Sequence, residues 1–261
     1  MSPSLTSVPP RRQFRPPIPV SLWGVIATLL LWWLATTPLW HNGVIGDFSP
    51  ERTFAAIAQM VGSGAIFPHI WASLRRVFVG LFAATLIGIP LGLLIGLSWV
   101  LEQATSVLFQ FLRMISPVSW MPVAVMVFGI GDWPVYFLLT VAAVWPLMLN
   151  AAAGVASVER RWLLLSRSLC ATRWETVTKV IVPATIPHLL TGLRLAVGII
   201  WIVLVPAEML GVRAGLGYYI LDTRDRLAYS ELVAVILIIG LIGYLLDTAL
   251  RLANQAWNHQ A

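Results

Sequence analysis

Six long apolar runs separated by short polar segments dominate the chain. A helix crossing the hydrocarbon core of a bilayer takes about 20 mostly apolar residues, so each run predicts a membrane span. The first, residues 20–39, is free of charge and holds Trp23, Trp32 and Trp33. The second, residues 77–97, is also uncharged and spaces Gly88, Gly92 and Gly96 every four residues. Small residues at that spacing let helices approach closely and slide, or simply pack. The third run, residues 104–130, is broken by Arg113, Pro117 and Pro122. The fourth, 133–158, has no charged residue, and the fifth, 189–210, carries Arg194 and Glu208 near its two ends. The sixth is uncharged over 232–246 and continues past Asp247 toward Leu252. Between the first two runs, Phe54, Ile57, Ala58 and Val61 recur at helical spacing within 47–64. That spacing predicts a short amphipathic helix lying along the outer surface. The expected fold is an all-α membrane protein of about six transmembrane helices.

The polar connection at 159–188 has its own pattern. Trp162, Leu165 and Leu169 fall on one helical face, with Arg160, Arg161 and Arg167 mostly off it. Thr172-Arg173-Trp174-Glu175 matches a capping box and starts a second helix. Trp174, Val177 and Ile181 share a face of that helix, while Arg173, Thr176 and Lys179 point elsewhere. Pro183 and Pro187 are expected to end it, because proline lacks the backbone donor and restricts its predecessor. Two short helices thus project between the fourth and fifth spans, fit either to meet a partner or to rest on lipid.

Composition narrows the class. Of 261 residues, 59% are hydrophobic and 11% charged, with a mean hydropathy of +0.84. A soluble domain is roughly a quarter charged, and could not hide so much apolar surface. The single cysteine, Cys170, excludes an intrachain disulfide framework and Cys-rich metal modules. The net charge is +6, but the basic residues sit in short segments between apolar runs rather than on a soluble basic face, which excludes nucleic acid as a partner. With the N-terminus inside, Arg11, Arg12, Arg15, Arg160, Arg161, Arg167, Arg173, Lys179 and Arg251 are cytoplasmic. Arg52, Arg213, Arg224 and Arg226 are then outside, with Arg75 and Arg76 at the outer rim. Basic residues collect on the cytoplasmic side, so both termini are expected inside. Residues 1–19, rich in Pro and Arg, predict a mobile cytoplasmic tail, and 20–261 a single transmembrane domain. The apolar run after Arg11 and Arg12 is too long for a signal peptide and reads as an uncleaved anchor.

Catalytic chemistry is not legible. No phosphate-binding G-x-x-x-x-G-K-[ST] surrounds Lys179, the four histidines show no metal-ligand spacing, and no G-x-S-x-G occurs. The chain is expected to be no enzyme and to hold no cofactor of its own. Ionisable groups inside a membrane are costly and point to a path. Arg113 precedes two prolines that free backbone groups, so Arg113, Ser116, Ser119 and Trp120 are candidates for an anion route; alternatively Arg113 braces the break. Arg194 either lines the route or meets headgroups, and Glu208 suits a gate or brace better than an anion site.

Ser168-Leu-Cys-Ala-Thr-Arg-Trp-Glu-Thr-Val-Thr-Lys-Val-Ile-Val-Pro183 resembles the cytoplasmic loop of permease subunits of bacterial ABC importers. Arg113-Met-Ile-Ser-Pro-Val-Ser-Trp-Met-Pro122, Phe128-Gly-Ile-Gly131, Thr191-Gly-Leu-Arg-Leu-Ala196, Ala207-Glu-Met209 and Gly215-Leu-Gly-Tyr218 resemble its nitrate/sulfonate/bicarbonate (taurine) branch, in the right order. The resemblance implies a type I importer fold whose loop is a coupling helix docked in an ATPase cleft. Leu165, Ser166, Leu169, Cys170, Ala171, Thr172, Arg173, Trp174, Glu175 and Lys179 would carry that coupling. It also implies an inner-membrane location, a second copy of the permease, two cytoplasmic ATPase subunits that bind ATP and Mg, and a periplasmic solute-binding protein. The implied cargo is a small anion, nitrate or bicarbonate first and alkanesulfonate or taurine second. The sequence departs from the pattern: the family's EAA triplet falls on Leu164, Leu165 and Ser166, its glycine on Cys170, and its Leu on Val182. A left-handed turn costs a residue with a Cβ about 1 kcal/mol or more, so either the turn is altered or the cleft is adapted. Two rivals stand beside this reading. A self-sufficient secondary transporter would need inverted repeats and a mid-membrane carboxylate, and a structural membrane subunit would leave Arg113 and the broken third run without a purpose.

Overall fold

The computed structural model describes residues 20–36 and 44–258, and among these the regular elements are all helical. The predicted tail at 1–19 and the end of the first apolar run lie outside the described residues. The helices are α1 Val20–Thr36, α2 Pro50–Gly62, α3 Phe67–Leu97, α4 Trp99–Met114, α5 Met121–Phe128, α6 Asp132–Ala156 and α7 Arg160–Ser168. They continue with α8 Arg173–Thr176, α9 Val182–Met209, α10 Leu216–Asp225 and α11 Tyr229–Asn258.

Among the described residues, four helices are long and apolar enough to cross a membrane: Phe67–Leu97, Asp132–Ala156, Arg173–Met209 and Tyr229–Gln255. A fifth crossing requires α4 and the stretch Pro117–Phe128 to act together across a bend of 85°. The described part of the predicted first span, residues 20–36, is helical as α1. The break in the third run falls at Ile115 and Ser116, both extended, just ahead of Pro117. Pro122 does not break anything, because it sits in the first turn of α5, where a missing N–H costs no hydrogen bond.

α3, α6 and α9 form the centre. Ala84, Val135, Leu138, Leu139, Ala143, Leu147, Ala196, Ile200 and Leu204 are fully covered there. Close approach of α3 to α6 depends on the four-residue spacing read from the sequence, which extends upward through Ala84 to Gly80. A Cβ built on Gly80 would lie 2.7 Å from Leu139 Cβ, and one on Gly96 would lie 2.7 Å from Val155 Cβ. Glycine is required because Cβ atoms of the opposing helix already occupy the space of a side chain. A second cluster joins α2, α10 and α11 through Ala56, Met60, Leu216, Tyr219, Val235 and Ile238. The amphipathic helix α2 is therefore more than a surface element. Phe54 and Val61 on its predicted apolar face stay exposed, whereas Thr53, Ala56 and Met60 are buried.

The end predicted for the second cytoplasmic helix is also corrected. Pro183 and Pro187 lie inside one continuous helix that runs from Arg173 to Met209. Just before Pro183 the backbone widens into a π-helical turn, Val177–Ile181. A π-turn shifts the hydrogen bonds to i→i+5, which accommodates the donor that Pro183 lacks. At about 1.5 Å per residue this 37-residue helix is about 55 Å long. The hydrocarbon core is about 30 Å thick, so the helix extends well beyond it.

Candidate functional site

The six path candidates do not converge. Arg113, in the last turn of α4, lines a cavity of about 380 Å³ between α4 and α6 and makes no ion pair among the described residues. Ser116 and Ser119 are exposed at the bend, while Trp120 packs against the α3–α6–α9 core. Arg194 is paired two ways with Asp247 of α11, Nε to Oδ1 at 2.7 Å and Nη2 to Oδ2 at 3.0 Å. That pair fastens α9 to α11 and uses the guanidinium fork.

Glu208 is fully buried near the end of α9 and belongs to a network the sequence did not reveal. Its carboxylate accepts from Arg76 Nη1 at 2.6 Å, from Ser73 Oγ at 2.8 Å and 2.9 Å, and from the Gly217 N–H at 2.9 Å. Arg76 also donates to Asp132 Oδ1 through Nε at 3.0 Å and Nη2 at 2.7 Å, and to the Ala214 carbonyl at 2.7 Å. Arg75 pairs with the other oxygen of Asp132. Ser73 Oγ accepts the Leu216 N–H at 2.8 Å, and His69 Nδ1 accepts the Gly215 N–H at 3.2 Å. One guanidinium therefore ties α3, the first turn of α6, the end of α9 and the loop into α10. Gly215 takes φ +131°, and a Cβ there would lie 2.5 Å from both Arg76 Nη1 and the Glu208 carboxylate. The Gly-Leu-Gly sequence at 215–217 is thus what lets the loop backbone close over a buried charge. The available signal was a carboxylate at the end of an apolar run, which demands a cation, with Arg75 and Arg76 as the rim candidates.

The predicted coupling residues lie at the opposite ends of α6 and α9. α7 ends in a Schellman turn, with the Ala171 N–H donating to the Ser166 carbonyl at 2.9 Å and Cys170 N–H to Arg167 at 3.0 Å. Cys170 takes φ 53°, so the left-handed turn is kept despite its Cβ rather than altered. Thr172 then caps the next helix: Glu175 N–H donates to its Oγ1 at 3.2 Å, and the Glu175 carboxylate accepts from the Thr172 N–H at 2.9 Å. Those bonds from Thr172 hold the Glu175 carboxyl below the ordinary carboxylate range. Ser166 is buried and Ala171 half-buried, while Leu165, Arg173 and Lys179 are exposed. Leu169 is 73% exposed and Trp174 75% exposed, two apolar side chains that no described residue covers. Of the predicted face of the second helix, Ile181 buries and Trp174 projects outward.

A profile of the family "binding-protein-dependent transport system inner membrane component" matches residues 88–259, about two thirds of the chain. The nitrate import permease protein NrtB of Leptolyngbya laminosa is 38% identical over 189 residues, 71% of this chain and 68% of that protein. The bicarbonate transport system permease protein CmpB of Synechococcus elongatus is 33% identical over 86% of this chain and 84% of its own length. The taurine transport system permease protein TauC of Escherichia coli is 32% identical over 87% and 85%. Among solved structures, an inward-facing MetNI methionine ABC transporter matches with a TM-score of 0.65 at 20% identity, over 73% of this chain and 95% of that one. The arrangement of spans is therefore that of a type I ABC importer permease.

Proposed function

The chain belongs to the family of binding-protein-dependent transport system inner membrane components, and from that premise we propose that it is the membrane-spanning half of an ATP-driven importer for nitrate or bicarbonate. Membership in this family also displaces the readings as a secondary transporter or a pathless structural subunit. The observation that carries the proposal is the unbroken helix Arg173–Met209, longer than a bilayer is thick, with an exposed tryptophan at its capped start. A push on Trp174 is transmitted along one continuous helix to Glu208 at the far end. A partner that binds one arrangement better than another shifts the population toward it, and a helix of this kind carries that bias across the membrane.

Two copies of the chain enclose the path, and two cytoplasmic ATPase subunits supply the ATP and Mg sites. A periplasmic solute-binding protein delivers the anion, and both termini face the cytoplasm. Arg113 lines the route. The similarity to the nitrate and bicarbonate permeases favours an inorganic anion; the similarity to the taurine permease over 87% of the chain favours an organic sulfonate as the second reading.

The test is uptake into proteoliposomes holding the chain with its co-expressed ATPase and binding protein. ATP-dependent accumulation of nitrate or bicarbonate is the expected result. Taurine uptake alone supports the second reading, and uptake of none of the three contradicts both.

A further inference from the structure

One wall of the cavity beside Arg113 is a single face of α4, and α6 with the end of α3 closes the rest. Glu102, Thr105, Ser106, Phe109, Gln110 and Arg113 follow at intervals of three and four along α4 and all line it, with Trp145 of α6 opposite. The other side of α4 is apolar and exposed, with Val100, Val107, Leu108 and Phe111 facing outward. A membrane helix tolerates such a polar stripe where it faces water or a polar solute rather than lipid.

Hydrogen bonding separates the lining into spent and free groups. Thr105 Oγ1 donates to the Leu101 carbonyl at 2.7 Å and Ser106 Oγ to the Gln103 carbonyl at 3.2 Å, so neither hydroxyl proton is available. Arg113, Gln110 and the Trp145 indole N–H have no protein partner among the described residues. These are three donor-bearing side chains, one of them cationic, on a cavity of about 380 Å³. That volume takes a small oxyanion with several waters at about 30 Å³ each. The acid of the stripe, Glu102, lies eleven residues from Arg113, about 16 Å along the axis. It shares its end of the cavity with Ile95, Gly96 and Ala156, the end from which α7 departs.

From this arrangement we infer that the α4–α6 cavity is a transit site for a planar oxyanion. Arg113 holds it through the guanidinium fork with Gln110 and Trp145 as neutral donors, and Glu102 repels it at the exit. Binding at one end and repulsion at the other meet the need of any path that a solute must both enter and leave. The site rests on the proposed anion transport but is separable from it.

The test uses thiol protection in membrane vesicles carrying the full chain with Cys170→Gly as background. Gln110→Cys is labelled with a small methanethiosulfonate reagent with and without millimolar nitrate or bicarbonate, and Leu108→Cys on the apolar side is the control. One of the anions should slow labelling of Gln110→Cys at least threefold, leave Leu108→Cys unchanged, and lose its effect when Arg113→Gln is added. Equal labelling rates at position 110 with and without either anion, or protection that survives Arg113→Gln, overturn the site. Wild-type uptake of nitrate or bicarbonate without protection overturns the site alone, whereas absence of wild-type uptake of both overturns the transport reading beneath it.

Discussion

Replacing Glu208 by alanine should cost the fold about 3 kcal/mol, and the structure says why. The side chains of Arg76 and Glu208 are 3% and 0% exposed, so water cannot take over for a lost partner. Breaking a buried ion pair by removing one member costs about 3–5 kcal/mol, because the other charge stays behind. Here Arg76 keeps Asp132, which is itself about one third exposed, so the loss falls at the lower end. The Gly217 N–H and the Ser73 hydroxyl also lose their acceptor. Glu208→Gln keeps the shape and one acceptor oxygen, and should cost about 1–3 kcal/mol. Replacing Arg76 and Glu208 together by methionine removes both charges and should cost less than the two single changes summed. Unfolding by SDS titration in mixed micelles, followed through tryptophan fluorescence, measures these variants. A Glu208→Ala loss under about 1 kcal/mol, or single effects that add within about 0.5 kcal/mol, would refute the description of this network as a coupled brace.

Further predictions concern packing and the turn. Gly92→Ala puts a Cβ 2.6 Å from Ala151 Cβ, so it should destabilise by about 1–3 kcal/mol; Gly240→Ala, with open space around it, should be near neutral in the same titration. Cys170→Gly should stabilise by about 1 kcal/mol, since φ 53° suits glycine and strains a residue with a Cβ. Thr172→Ala removes the helix cap and should cost about 0.5–2 kcal/mol, with Thr172→Ser restoring it. Trp174→Ala should leave folding unchanged in that titration while reducing ATP-driven uptake severalfold.

Much of this was legible in residue pattern because a bilayer enforces length and polarity. The apolar runs, the break ahead of Pro117, the Thr172–Glu175 capping box and the glycine spacing of α3 are each local statements, and each has its counterpart in the structure. What escaped was non-local. Arg76 reads as a rim charge until Ser73, Asp132 and Glu208, up to 135 residues apart in sequence, are brought together. Pro183 and Pro187 read as stops because the rule assumes an α-helical ladder, which the π-turn at Val177–Ile181 sidesteps. The buried face of α2 escaped because Thr53 and Ala56 are small and carry little hydrophobic signal beside Phe54 and Ile57. The stripe on α4 is not legible as one face because the apolar run begins at 104, whereas the helix begins at Trp99 and takes in Glu102.

The central claim is that the exposed end of the Arg173–Met209 helix is a lever worked by an ATPase. Cys170, the lone cysteine and an exposed one, stands beside Leu169 and Trp174 at that end. A maleimide–benzophenone crosslinker attached to Cys170 and photolysed in native membranes tests the claim directly. A covalent adduct with a P-loop ATPase, sensitive in yield to added ATP, is the predicted product; adducts with phospholipid alone would contradict the account.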